Sequence, residues 1–296
     1  MRKTIANHAL LVSLNVGKPQ MTKTDSQATG IVKNALNAEK ESGHFRKEMY
    51  PKRLVEPINS VERAARKYMQ TVAYPWNRGE LILPSPRFMV FAEEMAKYEL
   101  GFDQGVTAFQ QNWVNVQTEA KAIQGDMYDA QDYPDVTEIR RRFRFEVSYR
   151  PITDVGDFRL HLQDEEFSLL KAKVSEQAQS NIEELMAEPL RRLRDVVSRL
   201  HDTAGKGERA VLNPRTGKTE VKPPIFRDTV CENIIHEINL LSDFAAIMPE
   251  NIVQLANEAA AKIPSADMLR NSQAVRTKTV ENTAGLLDAI NSLLEE

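Results

Sequence analysis

Residues 140–150, RRRFRFEVSYR, hold the densest set of chemically capable side chains in this 296-residue chain. Phe143, Phe145, Val147 and Tyr149 alternate with Arg142, Arg144, Glu146, Ser148 and Arg150, the period-two pattern of a strand with two unlike faces. Arg142, Arg144 and Arg150 on one face, with Arg140, Arg141 and Arg159 nearby, present guanidinium groups suited to phosphate oxygens. Tyr149 and the phenylalanines are of the type that stacks on unpaired bases. The alternation works against that second role, because it sends the aromatic residues to the face opposite the arginines and into a core. Two readings follow for Arg140, Arg142, Arg144, Arg150 and Arg159: contact with nucleic acid or an acidic partner, or a solvated basic face.

Other candidate chemistry fails on spacing. Gly217-Lys218-Thr219 matches the tail of a phosphate-binding loop, but Leu212 stands where its first glycine belongs, and Lys222, Pro223 and Pro224 follow instead of a helix. His236-Glu237 opens like a zinc-protease helix, yet Leu240 occupies the position of the second histidine. Cys231, Glu232 and His236 sit on adjacent helix faces without the second cluster a zinc site needs. No serine or cysteine stands in a nucleophile motif. No catalytic, cofactor-binding or metal-ligating residue is assigned, and the chain reads as a non-enzyme without a cofactor.

A long apolar stripe runs Phe88, Phe91, Met95, Tyr98, Phe102, Val106, Phe109, Trp113, Val116, Ala120 and Ile123, in steps of three and four. That spacing defines one helix face, and a helix of this length spans roughly 50 Å. Its simplest role is core packing. The sharper role is an assembly seam between copies at Phe109, Trp113, Val116 and Ile123.

Charge is segregated although the net charge is only −3. Lys40 to Arg78 holds nine basic and four acidic residues, while Ala92 to Glu138 holds two basic and ten acidic. From Ile139 to His161 six arginines face three acids, and from Asp228 onward four basic residues face eleven acidic. Blocks of opposite sign can steer one copy, or one helix, onto another. The single cysteine suits a reducing compartment. No apolar run approaches a membrane span, and the alternation of Leu10, Val12, Leu14 and Val16 reads better as a strand than as a signal core. A cytoplasmic location is expected, in the host if the protein is phage-encoded.

These patterns predict a mainly α fold with a small antiparallel β element, built on a long antiparallel helical hairpin plus C-terminal helices. Residues 1–50 form an N-terminal strand, a short helix from the Thr24–Ser26 caps to about Asn37, and a basic connector. Residues 51–124 form the helical hairpin, whose first helix carries Leu54, Ile58, Val61, Ala65, Tyr68 and Val72 at heptad spacing. Residues 125–163 hold an acidic loop and a β-hairpin whose second strand bears Phe158, Leu160 and Leu162. Residues 164–296 hold a long helix kinked at Pro189, a small hairpin turning at Asn213–Gly217, and three closing helices.

The order of these parts resembles an uncharacterised domain-of-unknown-function family (thirty-one-fifty) of phages and bacteria. The resemblance rests on the basic connector ending in Pro51-Lys52-Arg53-Leu54, the long helices joined by Gly79 to Pro86, GDFRLHL before Asp164, and FRDTVCENIIHEINLL from Phe226 to Leu241. It covers most of the chain and supplies no catalytic residues. It implies a phage or mobile-element accessory protein working beside a cobaltochelatase-like MoxR-type AAA+ ATPase, and no ATPase motif occurs in this chain. The expected function is a self-assembling structural or adaptor protein, a homo-oligomer with an AAA+ partner. The alternative is a single-strand nucleic-acid-binding accessory factor using residues 140–150.

Overall fold

The structure is a computed structural model that describes residues 2–77, 79–152, 164–207, 209–212, 219–222 and 224–295. It is mainly α, with one four-stranded sheet and two two-stranded ribbons. The chain divides into two compact units that ignore sequence order. Residues 1–11, 72–88 and 150–296 form one, and residues 12–71 and 89–149 form the other. The expected segments 1–50, 51–124, 125–163 and 164–296 are regrouped because contacts, not chain position, decide what packs together. The four-stranded sheet has the order β4-β5-β1-β6, where β1 is Ala9–Gly17, β4 Tyr74–Asn77, β5 Glu80–Pro84 and β6 Arg144–Arg150.

In the unit of residues 12–71 and 89–149, α3 (Lys52–Val72) and α4 (Phe88–Gln111) form the antiparallel hairpin. The pairing can be followed residue by residue. A Cβ on Gly105 would meet Ile58 Cγ1 at 3.1 Å and one on Gly101 would meet Val61 Cγ2 at 3.6 Å, while Tyr68 stacks on Phe91 with ring centroids 6.0 Å apart. Glycines one turn apart let the helices approach closely where larger residues would separate them. The stripe from Phe88 to Ile123 does not form one helix. It divides at Asn112 into α4 and α5 (Trp113–Gln124). Asn112 leaves helical geometry at ψ 13°, and its Nδ2 donates to the Ala108 carbonyl at 2.9 Å, a side-chain bond of the kind that competes with a helix.

A three-residue ribbon, β2 (Thr22–Thr24) with β3 (Arg46–Glu48), encloses α2 (Ser26–Leu36) in its loop. Both ends of α2 follow from sequence. The Asp25 side chain accepts from Ala28 N–H at 2.8 Å, and Asn37 closes the helix in the left-handed region at φ 51°. The acidic stretch after α5 becomes two single 3₁₀ turns, followed by the short α6 (Val136–Arg141), which the residue pattern did not announce.

The other unit begins with α1 (Arg2–His8), unexpected ahead of the predicted strand. Its frame is α7 (Asp164–Gly205), with Pro189 inside it as expected, against α8 (Asp228–Asp243), α9 (Glu250–Lys262), α10 (Ala266–Asn271) and α11 (Gln273–Glu295). Ser272 separates α10 from α11, so the expected single closing helix is two. Leu190, Leu193, Val197 and Leu200 of α7 are buried with Ile234, Leu241, Leu255, Leu269 and Leu286 in one cluster. Around β4 a second cluster joins Ile5, Tyr74, Ile82, Leu185, Leu240 and Phe244. Tyr74 to Pro84 forms the β4–β5 hairpin where a plain turn was expected. The ribbon of β7 (Arg209–Leu212) and β8 (Thr219–Lys222) matches the small hairpin. Its turn at 213–217, the GKT motif's Gly217 and Lys218, and the strand bearing Phe158, Leu160 and Leu162 lie outside the described residues.

Candidate interaction surface

The arginine segment folds as its alternation requires. Phe143 and Phe145 are buried, with Phe145 5.3 Å from the Phe102 ring, and Arg142, Arg144 and Arg150 are exposed. Phe143 and Phe145 are therefore not presented for base stacking alongside the arginines, while Tyr149 is 41% exposed and stands edge-on to Phe91. Most of the guanidinium charge already has a carboxylate. Arg140 pairs with Asp103, Arg142 with Glu138 at 2.5 Å and, in the other unit, Arg150 with Glu80. Arg144 stands beside Gly17 of β1, where an added Cβ would come within 3.2 Å of its own Cβ. Arg159 lies outside the described residues.

The assembly seam is corrected at three of its four positions. Phe109, Trp113 and Val116 are buried inside their own unit, and only Ile123, 65% exposed, reaches the surface. Trp113 is covered from within its own unit. Tyr50, Phe109 and Tyr133 surround it at centroid distances of 6.1, 5.8 and 6.3 Å. Tyr50 comes from the basic connector and Tyr133 from the acidic stretch, so both sequences that looked like loops close over the stripe. Burial pushes the Tyr133 hydroxyl up to about 12, against the opposing bond from Gln124. That hydroxyl donates to Met49 O at 2.8 Å and accepts from Gln124 Nε2 at 2.8 Å.

The charge blocks are likewise spent within the unit. On the β2–β3 ribbon Lys23 lies directly opposite Lys47, an arrangement that repels. Asp132 from the acidic stretch resolves it, bonding Lys23 and standing 2.9 Å from Lys47, whose side chain is buried and also donates to Met127 O. Burial would raise the Asp132 carboxyl, but the bonds from Lys23 and Lys47 outweigh it and hold it below the usual carboxylate range. Arg53 pairs with Glu119 in the same sense.

On α2 an apolar stripe lies uncovered. Ala28, Ile31, Val32, Ala35 and Leu36 fall at i, i+3, i+4, i+7 and i+8, the apolar stripe of a helix that packs on something. Thr29 is the sole buried residue among α2's described positions, and Ile31 and Leu36 are 62% and 72% exposed. The helix is nevertheless held in place. Thr29 Oγ1 donates to Asp25 O and accepts from Phe45 N–H at 2.9 Å, and Asp25 N–H donates to Phe45 O at 3.0 Å. An isolated helix of this length is marginal in water; here caps and a buried threonine fix it with its apolar face outward. The spacing was legible in the sequence. Its exposure was not, since nothing local says which stripes find cover.

In the unit built on α7, a polar cluster surrounds Tyr74. The Arg192 guanidinium lies 4.9 Å from the Tyr74 ring centroid and donates to Glu188 at 2.8 Å. The buried Tyr74 Oη and Glu237 Oε2 make no hydrogen bond among the described residues. Burial raises the Glu237 carboxyl above its ordinary range, Arg192 and His236 opposing and Glu188 reinforcing. A carboxyl whose folded value is raised keeps its proton longer in the folded state, so its contribution is fullest below the unfolded value and is lost as pH rises toward the folded one. Glu237→Gln is therefore expected to stabilise this unit, by a margin that widens as pH rises above the ordinary carboxylate range; thermal melts at a series of pH values check it. A margin that narrows would refute the assignment.

Cys231 on α8 is buried, and burial raises its thiol, the reverse of what a metal-binding thiolate needs. Among the described residues no three histidine, cysteine or acidic side chains are placed to hold a metal ion, and no helix is long and apolar enough to cross a membrane. Comparison with family models, with curated proteins and with solved structures finds no match.

Proposed function

We propose that this protein is a non-enzymatic helical adaptor that self-associates through α2. The observation that carries the reading is the apolar stripe of half-buried Ala28 and exposed Ile31, Val32, Ala35 and Leu36 on a helix fixed by its caps. A second copy is a fitting partner. Lys33 is the only charged residue between Ser26 and Leu36, so two stripes can face each other with little like-charge repulsion. Ala28 and Ala35 are small enough to let the backbones approach. Two helices of this length, each about 16 Å, give a contact at the low end of specific interfaces, so the association is expected to be weak and concentration-dependent. If the family resemblance holds, such an adaptor would work beside an AAA+ ATPase in a phage or mobile element, with the energy supplied by that partner.

Light scattering at tens of micromolar is the test. The wild-type mass is expected to rise above one chain with concentration, and Ile31→Glu with Leu36→Glu is expected to return it to one chain with circular dichroism unchanged. A wild-type monomer throughout would sink the reading. The same samples titrated with a single-stranded oligonucleotide at low salt separate the alternative, which requires a shift lost in Arg142→Glu/Arg144→Glu.

A further inference from the structure

A groove of about 570 Å³ opens on the unit built on α7, and it lies among α9, α10 and α11. Its volume is in the range of ligand sites. Ile263, Pro264, Met268 and Val275 give it an apolar lining, and Met268 is 53% exposed. On α11 the lining residues Val275, Lys278, Thr279 and Asn282 follow at i, i+3, i+4 and i+7, so one straight helix face forms a wall.

The charge on this groove runs against its surroundings. From Asp228 to Glu296 there are eleven acidic and four basic residues. Two of the four basic residues are already engaged. Arg270 pairs with Asp228 and Asp267, and the buried Arg276 donates to Leu269 O at 3.0 Å. The other two, Lys262 and Lys278, both line the groove, and no carboxylate does. Lys262 reaches Glu258 at 3.3 Å in an exposed pair, of the kind worth little and easily exchanged. Lys278 is exposed and has no ion pair among the described residues. The Asn282 carboxamide lines the same wall with no hydrogen bond among the described residues, and offers both a donor and an acceptor to a peptide group.

The geometry points to a docking site for a short peptide segment of a partner protein, with an apolar anchor flanked by carboxylates. The anchor enters between Ile263, Met268 and Val275, the carboxylates meet Lys262 and Lys278, and Asn282 reads the main chain. A nucleic acid would want aromatic platforms, which this lining lacks. The site is built from residues of a different unit from α2, so the two proposals stand or fall separately.

Fluorescence anisotropy on the full chain tests it, using a labelled peptide of about twelve residues made of leucine, alanine and glutamate. A control peptide carries lysine in place of glutamate. Saturable binding of the acidic peptide alone is expected, weakened at least about tenfold by Lys262→Glu/Lys278→Glu and by Met268→Glu, and partly by Lys278→Gln. These positions are exposed or half-buried, and circular dichroism confirms that each variant is folded. Absence of saturable binding at low salt, equal binding of the lysine peptide, or indifference to the lysine variants would overturn the proposal. So would displacement by oligothymidylate or polyphosphate at matched charge, since charge alone would then account for the binding.

Discussion

Asp132→Ala is expected to lower the stability of the unit of residues 12–71 and 89–149 by about 3–5 kcal/mol. The loss has two sources. Lys47 is 5% exposed and keeps only the Met127 carbonyl and a distant Asp25, at 3.8 Å, once Asp132 is gone. A buried charge stripped of its partner costs far more than the ion pair contributed. Lys23 and Lys47 are also left opposite each other on the ribbon without a carboxylate between them. Urea unfolding followed by tryptophan fluorescence in a Trp76→Phe background measures the change, since Trp113 belongs to this unit and Trp76 to the other.

The double variant Lys47→Met/Asp132→Ala separates the causes. It removes the buried charge along with its partner, so its loss is expected to be smaller than that of Asp132→Ala alone. A double variant at least as unstable as the single one would show that Asp132 acts through something other than Lys47. The pH dependence has a definite sign. The folded carboxyl lies below its ordinary value, so its contribution is complete above the unfolded value and disappears as pH falls through the folded one. Wild type is expected to lose stability in acid more steeply than Asp132→Ala.

Trp113→Ala is the second large effect, at about 3–5 kcal/mol, because it empties a site walled by Tyr50, Phe109 and Tyr133. Ile123→Ala, ten residues along the same stripe, is expected to stay within about 0.5 kcal/mol, being a surface change. Urea midpoints read by circular dichroism compare the two. The contrast bears directly on what the stripe is for. If it were a seam between copies, Trp113→Ala would lower the mass of the assembly and leave the isolated chain as stable as before. If it is interior packing, the chain itself is weakened. An unchanged midpoint for Trp113→Ala would return the stripe to the assembly reading.

The mutual cover of loop and stripe shows how charge blocks are used inside the unit of residues 12–71 and 89–149. Segregated charge on a chain can bring together two copies or two segments of one copy, and opposite blocks within one unit are brought together here. The partners are Lys47 with Asp132, Arg53 with Glu119 and Arg140 with Asp103, all inside one unit. Charge pattern reports that two segments attract. It does not report whether they belong to one copy or two, because loop closure within a chain costs little compared with association between chains.

Local features came through the sequence with little loss. The caps Asp25 and Asn37 bound α2 as their side-chain chemistry dictates. The helix periods located α3, α4, α8 and α9, and the period-two run located β6 with Phe145 inward. Each of these depends on residues within a few positions of each other, where capping bonds, rotamer limits and the alternation of side chains act directly. The short α1 and α6 and the β4–β5 hairpin escaped because elements of so few residues carry too little periodicity to be read.

Tertiary structure alone decided which apolar faces are covered. The stripes at Phe109–Val116 and at Ala28–Leu36 look alike in sequence, both apolar at helical spacing. The first is sealed by Tyr50 and Tyr133, brought from about sixty residues upstream and twenty downstream, while α2 is left bare between the strands of a ribbon. Periodicity is a property of a segment, but burial is a property of what else arrives beside it. The sequence determined that α2 has a face that seeks a partner, and only the fold left that face open to one.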